Sequence, residues 1–193
     1  MALLYASVIE KTGLADVENS LTVLLDTFHY GYDVVARVES VEDMCQQLLR
    51  RASDPNDLYR HIVINGHGSP GNQSVGDGVS YDASGRQNLS ISWTDDVAVP
   101  TNLVGHAESK LQALRPKMTG ECMVTLTGCN VAGGAGGRHL LKIISRALGG
   151  IPVQASEGLQ TEFVPGAEGT VVRCSGDQCS VIPGGSWLGW PGL

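Results

Sequence analysis

The feature that most constrains this chain is an alternation of apolar, β-rich runs with segments of helical period, repeated at least four times along 193 residues. Residues 3–9 carry Tyr5, Val8 and Ile9, which suit a first strand. Beyond Asp16, a helix cap, Val17, Leu21, Leu24, Leu25 and Phe28 recur at helical spacing as far as Gly31, although residues 21–25 alone also read as a strand. Residues 32–38 are β-branched and strand-like. Ser40 then stands as an N-cap, with Glu42 and Asp43 at the positive helix end and Val41, Met44, Cys45, Leu48 and Leu49 as the apolar stripe. Residues 61–66 read as a third strand whose unbroken apolar centre, Ile62-Val63-Ile64, is expected of a parallel strand covered on both faces. A helix is predicted over residues 103–114, ended by Arg115-Pro116. Met123, Val124 and Leu126 mark another buried strand, which leads through a glycine-rich turn to a helix over 138–148 and a fifth strand over 151–155. This pattern implies an α/β fold: a doubly wound, mostly parallel sheet with helices on both faces and right-handed crossovers.

The remaining segments are accessories. Residues 69–88 are dense in Gly, Ser, Asn and Asp and read as a surface loop or small hairpin, with a short strand over 89–93 and a loop over 94–102. Residues 170–174 and 178–182 flank Ser175-Gly176-Asp177 and predict a C-terminal β-hairpin. Residues 183–193 show no period and form an irregular tail, in which Trp187, Leu188 and Trp190 read either as a strap over the sheet or as a segment that docks in a groove. With no internal repeat and no long linker, residues 1–193 are expected to form one domain.

A net charge of −7 with no basic cluster argues against a nucleic-acid partner. No apolar run reaches the ~18–20 residues that span a bilayer, so no membrane partner is expected. The first eleven residues lack the basic start of a signal peptide, so a cytoplasmic location is the default expectation. Secretion or delivery without a signal would leave the same trace. Five cysteines, an odd number, do not make a full disulfide framework. Cys174 and Cys179 flank the tail turn and stand where oxidation would pair them.

The chemistry points to two strand ends. Cys129 follows the strand through Leu126 and precedes the glycine turn, where helix N–H groups favour a thiolate. His67 follows the strand through Ile64, and Gly68-Ser69-Pro70-Gly71 frees its ring from the core. A thiol on one strand end and an imidazole on another are the parts of a nucleophile and its proton-transfer partner. His29, His61, His106 and His139 occupy positions suited to structural roles, and Cys45 and Cys122 lie on apolar stretches. No C-x2-C or H-x3-H spacing supports zinc, and no cofactor is expected. The run Gly133 to Gly137 matches neither the dinucleotide pattern, since position 139 is His, nor a P-loop, since no Lys-Ser or Lys-Thr pair follows. Close packing and a phosphate cradle both remain open for it.

Two segments, Ile62-Val63-Ile64-Asn65-Gly66-His67-Gly68 and, about sixty residues on, Val124-Thr125-Leu126-Thr127-Gly128-Cys129, resemble the caspase-like cysteine peptidases. The chain is most similar to small bacterial members of that group. The resemblance implies a caspase-like fold and an endopeptidase acting on peptide or protein substrates through an acyl-enzyme. Cys129 would be the nucleophile and His67 the general acid and base, with the N–H groups of Gly68 and Cys129 as oxyanion hole. The family commonly needs no third residue to orient the histidine. Self-processing and dimerisation through a sheet edge also follow by analogy. In metacaspases and clostripain the residue two before the nucleophile is acidic and binds a basic P1 side chain; here it is Thr127, so that specificity gains no support. By the same analogy Ser156 and Glu157 would wall the S1 pocket, Glu157 receiving a basic P1 residue or else standing solvated. A catalytically silent binding or signalling module of the same fold, and a nucleotide-binding α/β domain, are the alternatives.

Overall fold

A computed structural model describes residues 2–10, 31–75, 88–93, 100–103, 106–158 and 170–182. The expected helix after Asp16 and the Trp187 tail lie outside these residues, as does most of the 69–88 segment. Strands β1 (Leu3–Glu10), β2 (Val34–Val38), β3 (Leu58–Asn65), β8 (Met118–Leu126), β9 (Val153–Ser156), β10 (Val171–Ser175) and β11 (Gln178–Ile182) form one sheet, ordered β11-β10-β9-β8-β3-β1-β2. The five strands from β9 to β2 pair in parallel. The hairpin β10–β11 closes one edge antiparallel. Its two-residue turn begins with Gly176 at φ +57°, the glycine position of a type II′ turn.

Three helices, α1 (Val41–Arg51), α2 (Ala107–Leu114) and α3 (Gly134–Ala147), cover one sheet face. Met44 and Leu48 of α1, Leu111 and Leu114 of α2, and Ile144 of α3 with Leu148 just after it meet around Ile62, Ile64 and Val124. Among the described residues all three helices lie on this face. The expectation of helices on both faces therefore rests on residues 11–30, outside that set. Ser40 caps α1 as expected, its hydroxyl accepting from Asp43 N at 3.0 Å.

Strand alternation sends the neighbouring side chains to the opposite face, where a ladder of buried polar groups runs across the sheet. His61 Nε2 lies 2.9 Å from Thr125 Oγ1, which also accepts from Gln154 Nε2 at 3.1 Å. Arg173 donates from Nε and Nη2 to Gln154 Oε1 at 3.0 and 2.8 Å. This ladder crosses four strands, and its partners supply the hydrogen bonds that buried polar groups require. Burial pushes the His61 imidazole down to about 4.

A second, antiparallel sheet follows β3: β4 (Gly68–Ser69), β5 (Asn72–Ser74), β6 (Asn88–Trp93) and β7 (Pro100–Leu103). Strand β7 corrects the loop expected over 94–102, and it takes Leu103 out of the predicted helix. Leu103 pairs with Ile91, and both are buried. Helix α3 starts at Gly134, four residues before the expected Arg138. The glycine turn is thus the first turn of the helix itself.

Candidate active site

The site is set by register. Ile64 of β3 lies opposite Leu126 of β8, so residues 65–68 and 127–129 leave the sheet side by side. Thr127 ties the two ends: its N–H donates to Ile64 O at 3.0 Å, and its hydroxyl lies 3.2 Å from both Ile64 O and Asn65 Oδ1. Thr127 thus holds the strand tips together.

Beyond Thr127 the backbones touch. A Cβ built on Gly68 would lie 2.7 Å from the Gly128 carbonyl carbon, and one on Gly128 would lie 2.7 Å from Gly68 Cα. Real side chains do not fit such gaps, so both positions require glycine for packing. His67 and Cys129 are each one residue from this contact. The hairpin after His67 turns through Pro70 and Gly71, the latter at φ +76°, as a type II turn requires. It is anchored to the Cys129 side by Gly71 N donating to Val131 O at 3.1 Å. Gly128 N donates to Oε1 of the buried Gln73 at 2.9 Å. Ser74 N donates to His67 O at 2.8 Å, which makes His67 and Ser74 a hydrogen-bonded pair. By alternation Gly68, opposite Gln73, directs its N–H away from β5.

Glu10, the last residue of β1, reaches the same place. Its side chain is 6 % exposed, with Oε1 3.5 Å from Nε2 of His67, whose ring is 74 % exposed. Glu10 Oε2 accepts from the Ser74 hydroxyl. Sequence reasoning missed Glu10, Gln73 and Ser74. The available signal for Glu10 was its place as a lone acid closing an apolar strand, at the carboxyl end where α/β sheets bind ligands.

Three cysteines are outside disulfides. Burial pushes Cys45 and Cys122 up to about 12, so neither yields a thiolate at neutral pH. Cys129 is half-buried. It is not at the helix cap, because residues 130–132 form a turn and Gly133 takes that place. Asn130 opens the turn at φ +56°, and its N–H donates to Gly158 O at 2.7 Å. Gly133 and Gly137 are explained by this turn: a Cβ would meet Asn130 Cγ at 2.9 Å and Ala132 Cα at 2.6 Å respectively. Close packing thus accounts for two of the glycines that a phosphate cradle would use.

Ser156 and Glu157 do lie beside the cysteine turn, since Ala132 N donates to Ser156 O at 3.0 Å. Ser156 is buried, however, and its hydroxyl accepts from Gly158 N at 2.9 Å within its own turn. Glu157 Oε1 is paired with Arg138 Nη2 at 3.0 Å, so its charge is already balanced. Cys174 and Cys179 form a disulfide across the β10–β11 hairpin. Among the described residues no group of three or more His, Cys, Asp or Glu is arranged to hold a metal, and no helix is long and apolar enough to cross a membrane.

Compared with known proteins, the chain matches no family model, no curated protein and no solved structure.

Proposed function

We propose that this chain is a cysteine endopeptidase of the caspase-like type, with Cys129 as nucleophile and His67 as general acid and base. The observation that supports the reading is the Gly68–Gly128 backbone contact, from which His67 and Cys129 are each one residue away. The half-buried setting of Cys129, against two thiols silenced by burial, adds support.

In this reading the Cys129 thiol gives its proton to His67, and the sulfur attacks the scissile carbonyl carbon. The oxyanion is met by the Gly68 and Cys129 N–H groups, a stabilisation worth ~3 kcal/mol per donor. The C–N bond breaks as His67 returns the proton to the leaving amine. Water, deprotonated by His67, then attacks the thioester, and the acid product leaves with Cys129 restored as thiol. The Glu157–Arg138 pair makes a basic P1 pocket at Glu157 an unfavoured part of the scheme, since substrate would have to displace an arginine already 3.0 Å away.

The test is site-resolved alkylation of Cys129 by iodoacetamide, followed by mass spectrometry, in the parent and in His67→Ala. Rapid modification below the ordinary thiol range of about 8.5, slowed by loss of His67, is the expected result. Cleavage of a peptide library that disappears in Cys129→Ala completes it. A Cys129 indifferent to His67 would sink the peptidase and leave the silent binding module in its place.

A further inference from the structure

The resemblance implies two catalytic side chains, yet beside His67 lies a third polar group whose burial requires an account. Glu10 is 5 % exposed, and a buried carboxylate is costly unless it is paired and hydrogen-bonded. Its environment is built around it. Ile9 pairs with Asn65 in the β1–β3 register, so Glu10 comes opposite Gly66. A Cβ at Gly66 would stand 2.9 Å from Glu10 Oε2 and 3.1 Å from Gln73 Nε2. The glycine before His67 thus leaves room for the acid. Ser74, hydrogen-bonded through its backbone to His67, donates its hydroxyl to Oε2, and Oε1 faces His67 Nε2 at 3.5 Å.

We propose that Glu10 is a positioning residue for His67: its carboxylate receives the Nε2–H and so leaves Nδ1 as the nitrogen that exchanges a proton with the Cys129 thiol. This rests on the Cys129–His67 reading. The 3.5 Å separation is longer than a formed charge-assisted bond, as is common before substrate tightens a site. When Nδ1 takes the thiol proton, the positive charge on the ring is balanced across Nε2 by a carboxylate that cannot turn away, because Ser74 holds its other oxygen. An imidazole that is 74 % exposed has little other packing to hold its orientation.

The experiment is a double-mutant cycle read by the iodoacetamide rate at Cys129 near pH 7. Glu10→Gln keeps the size of the side chain and removes its charge. We expect it to slow alkylation by ~10-fold or more in the parent, the scale of a hydrogen bond to a charged group, and to have no effect in the His67→Ala background. An effect that persists without His67 would mean a merely structural role and would overturn the proposal. So would an unchanged rate in Glu10→Gln while His67→Ala is slow; the dyad would then stand without its third member. An unchanged rate in His67→Ala removes the dyad itself and with it the premise. If Glu10→Gln fails to fold, Glu10→Asp carries the same cycle, since it keeps the charge and withdraws it by one methylene. A Glu10→Asp effect that vanishes without His67 supports the assignment, and a missing or His67-independent effect overturns it.

Discussion

Strands β3 and β8 each carry one chemical residue inside the sheet and a second copy at the tip, and the two pairs behave differently. Inside, His61 is buried against Thr125 with its imidazole pushed down to about 4, and Cys122 is buried with its thiol pushed up to about 12. At the tips, His67 is largely exposed beside Glu10, and Cys129 is half-buried in a turn. Six or seven residues along a strand thus separate groups locked in their neutral forms from groups that reach the surface of the sheet's end. The cause inside the sheet is burial, which without an opposite charge disfavours the ionised form. Residue type is a weak guide to chemistry in this fold, and distance from the strand's carboxyl end is a better one.

The strongest break of this comparison is at sulfur. Cys129→Ala is expected to reduce cleavage of a susceptible peptide by ~10⁴-fold or more, as loss of a nucleophile does elsewhere, while Cys122→Ala retains cleavage in the same assay. Next comes the gap between the tips. Gly68→Ala forces a methyl group to within 2.7 Å of the Gly128 backbone, so the strand ends must part. We expect ~100-fold less cleavage together with a loss of ~1–3 kcal/mol in urea unfolding, the range of overpacking. Cleavage at the parental rate would show that the contact does not set the site.

The interior histidine gives a pH signature. Its folded value of about 4 lies below the ordinary imidazole value of about 6.5, so the unfolded chain binds the proton first as the pH falls. The His61 contribution is complete above pH ~6.5 and is lost towards pH ~4, by ~3 kcal/mol at most. Urea midpoints measured across that window should therefore fall less in His61→Gln than in the parent. Equal slopes would count against burial as the cause. The smallest expected effect is that of Thr125→Val, which leaves His61 and Gln154 without the hydroxyl they share. It should destabilise the chain by ~2 kcal/mol and leave the alkylation rate of Cys129 unchanged. A changed rate would mean that the ladder and the tips are coupled.

Much of the architecture was legible because it is local. Apolar period and turn chemistry mark the core strands, the Ser40 cap and the Gly176 hairpin from neighbouring residues alone. The second sheet was harder to read. Strand β5, Asn72–Ser74, is three polar residues whose extended form is held by pairing to β4 and β6 and not by its own propensity. At the site, the two strand ends were readable from the sequence, whereas their adjacency and the parts around them came from the sheet order. Thr127 looked like a vacant specificity position and proved to be a tie between strands. Glu157 looked like an open acid and proved to be paired.

What the sequence by itself determined is the core strands of the main sheet, the described helices to within a few residues, and the two strand ends at which Cys129 and His67 stand, since these follow from patterns a few residues long. Tertiary structure alone decided which side chains meet there. Glu10 comes from β1, Gln73 from the hairpin and Arg138 from α3, and each reaches its partner through the sheet register and the packing of glycine against glycine. Such contacts join residues far apart in the chain, and no local period encodes them.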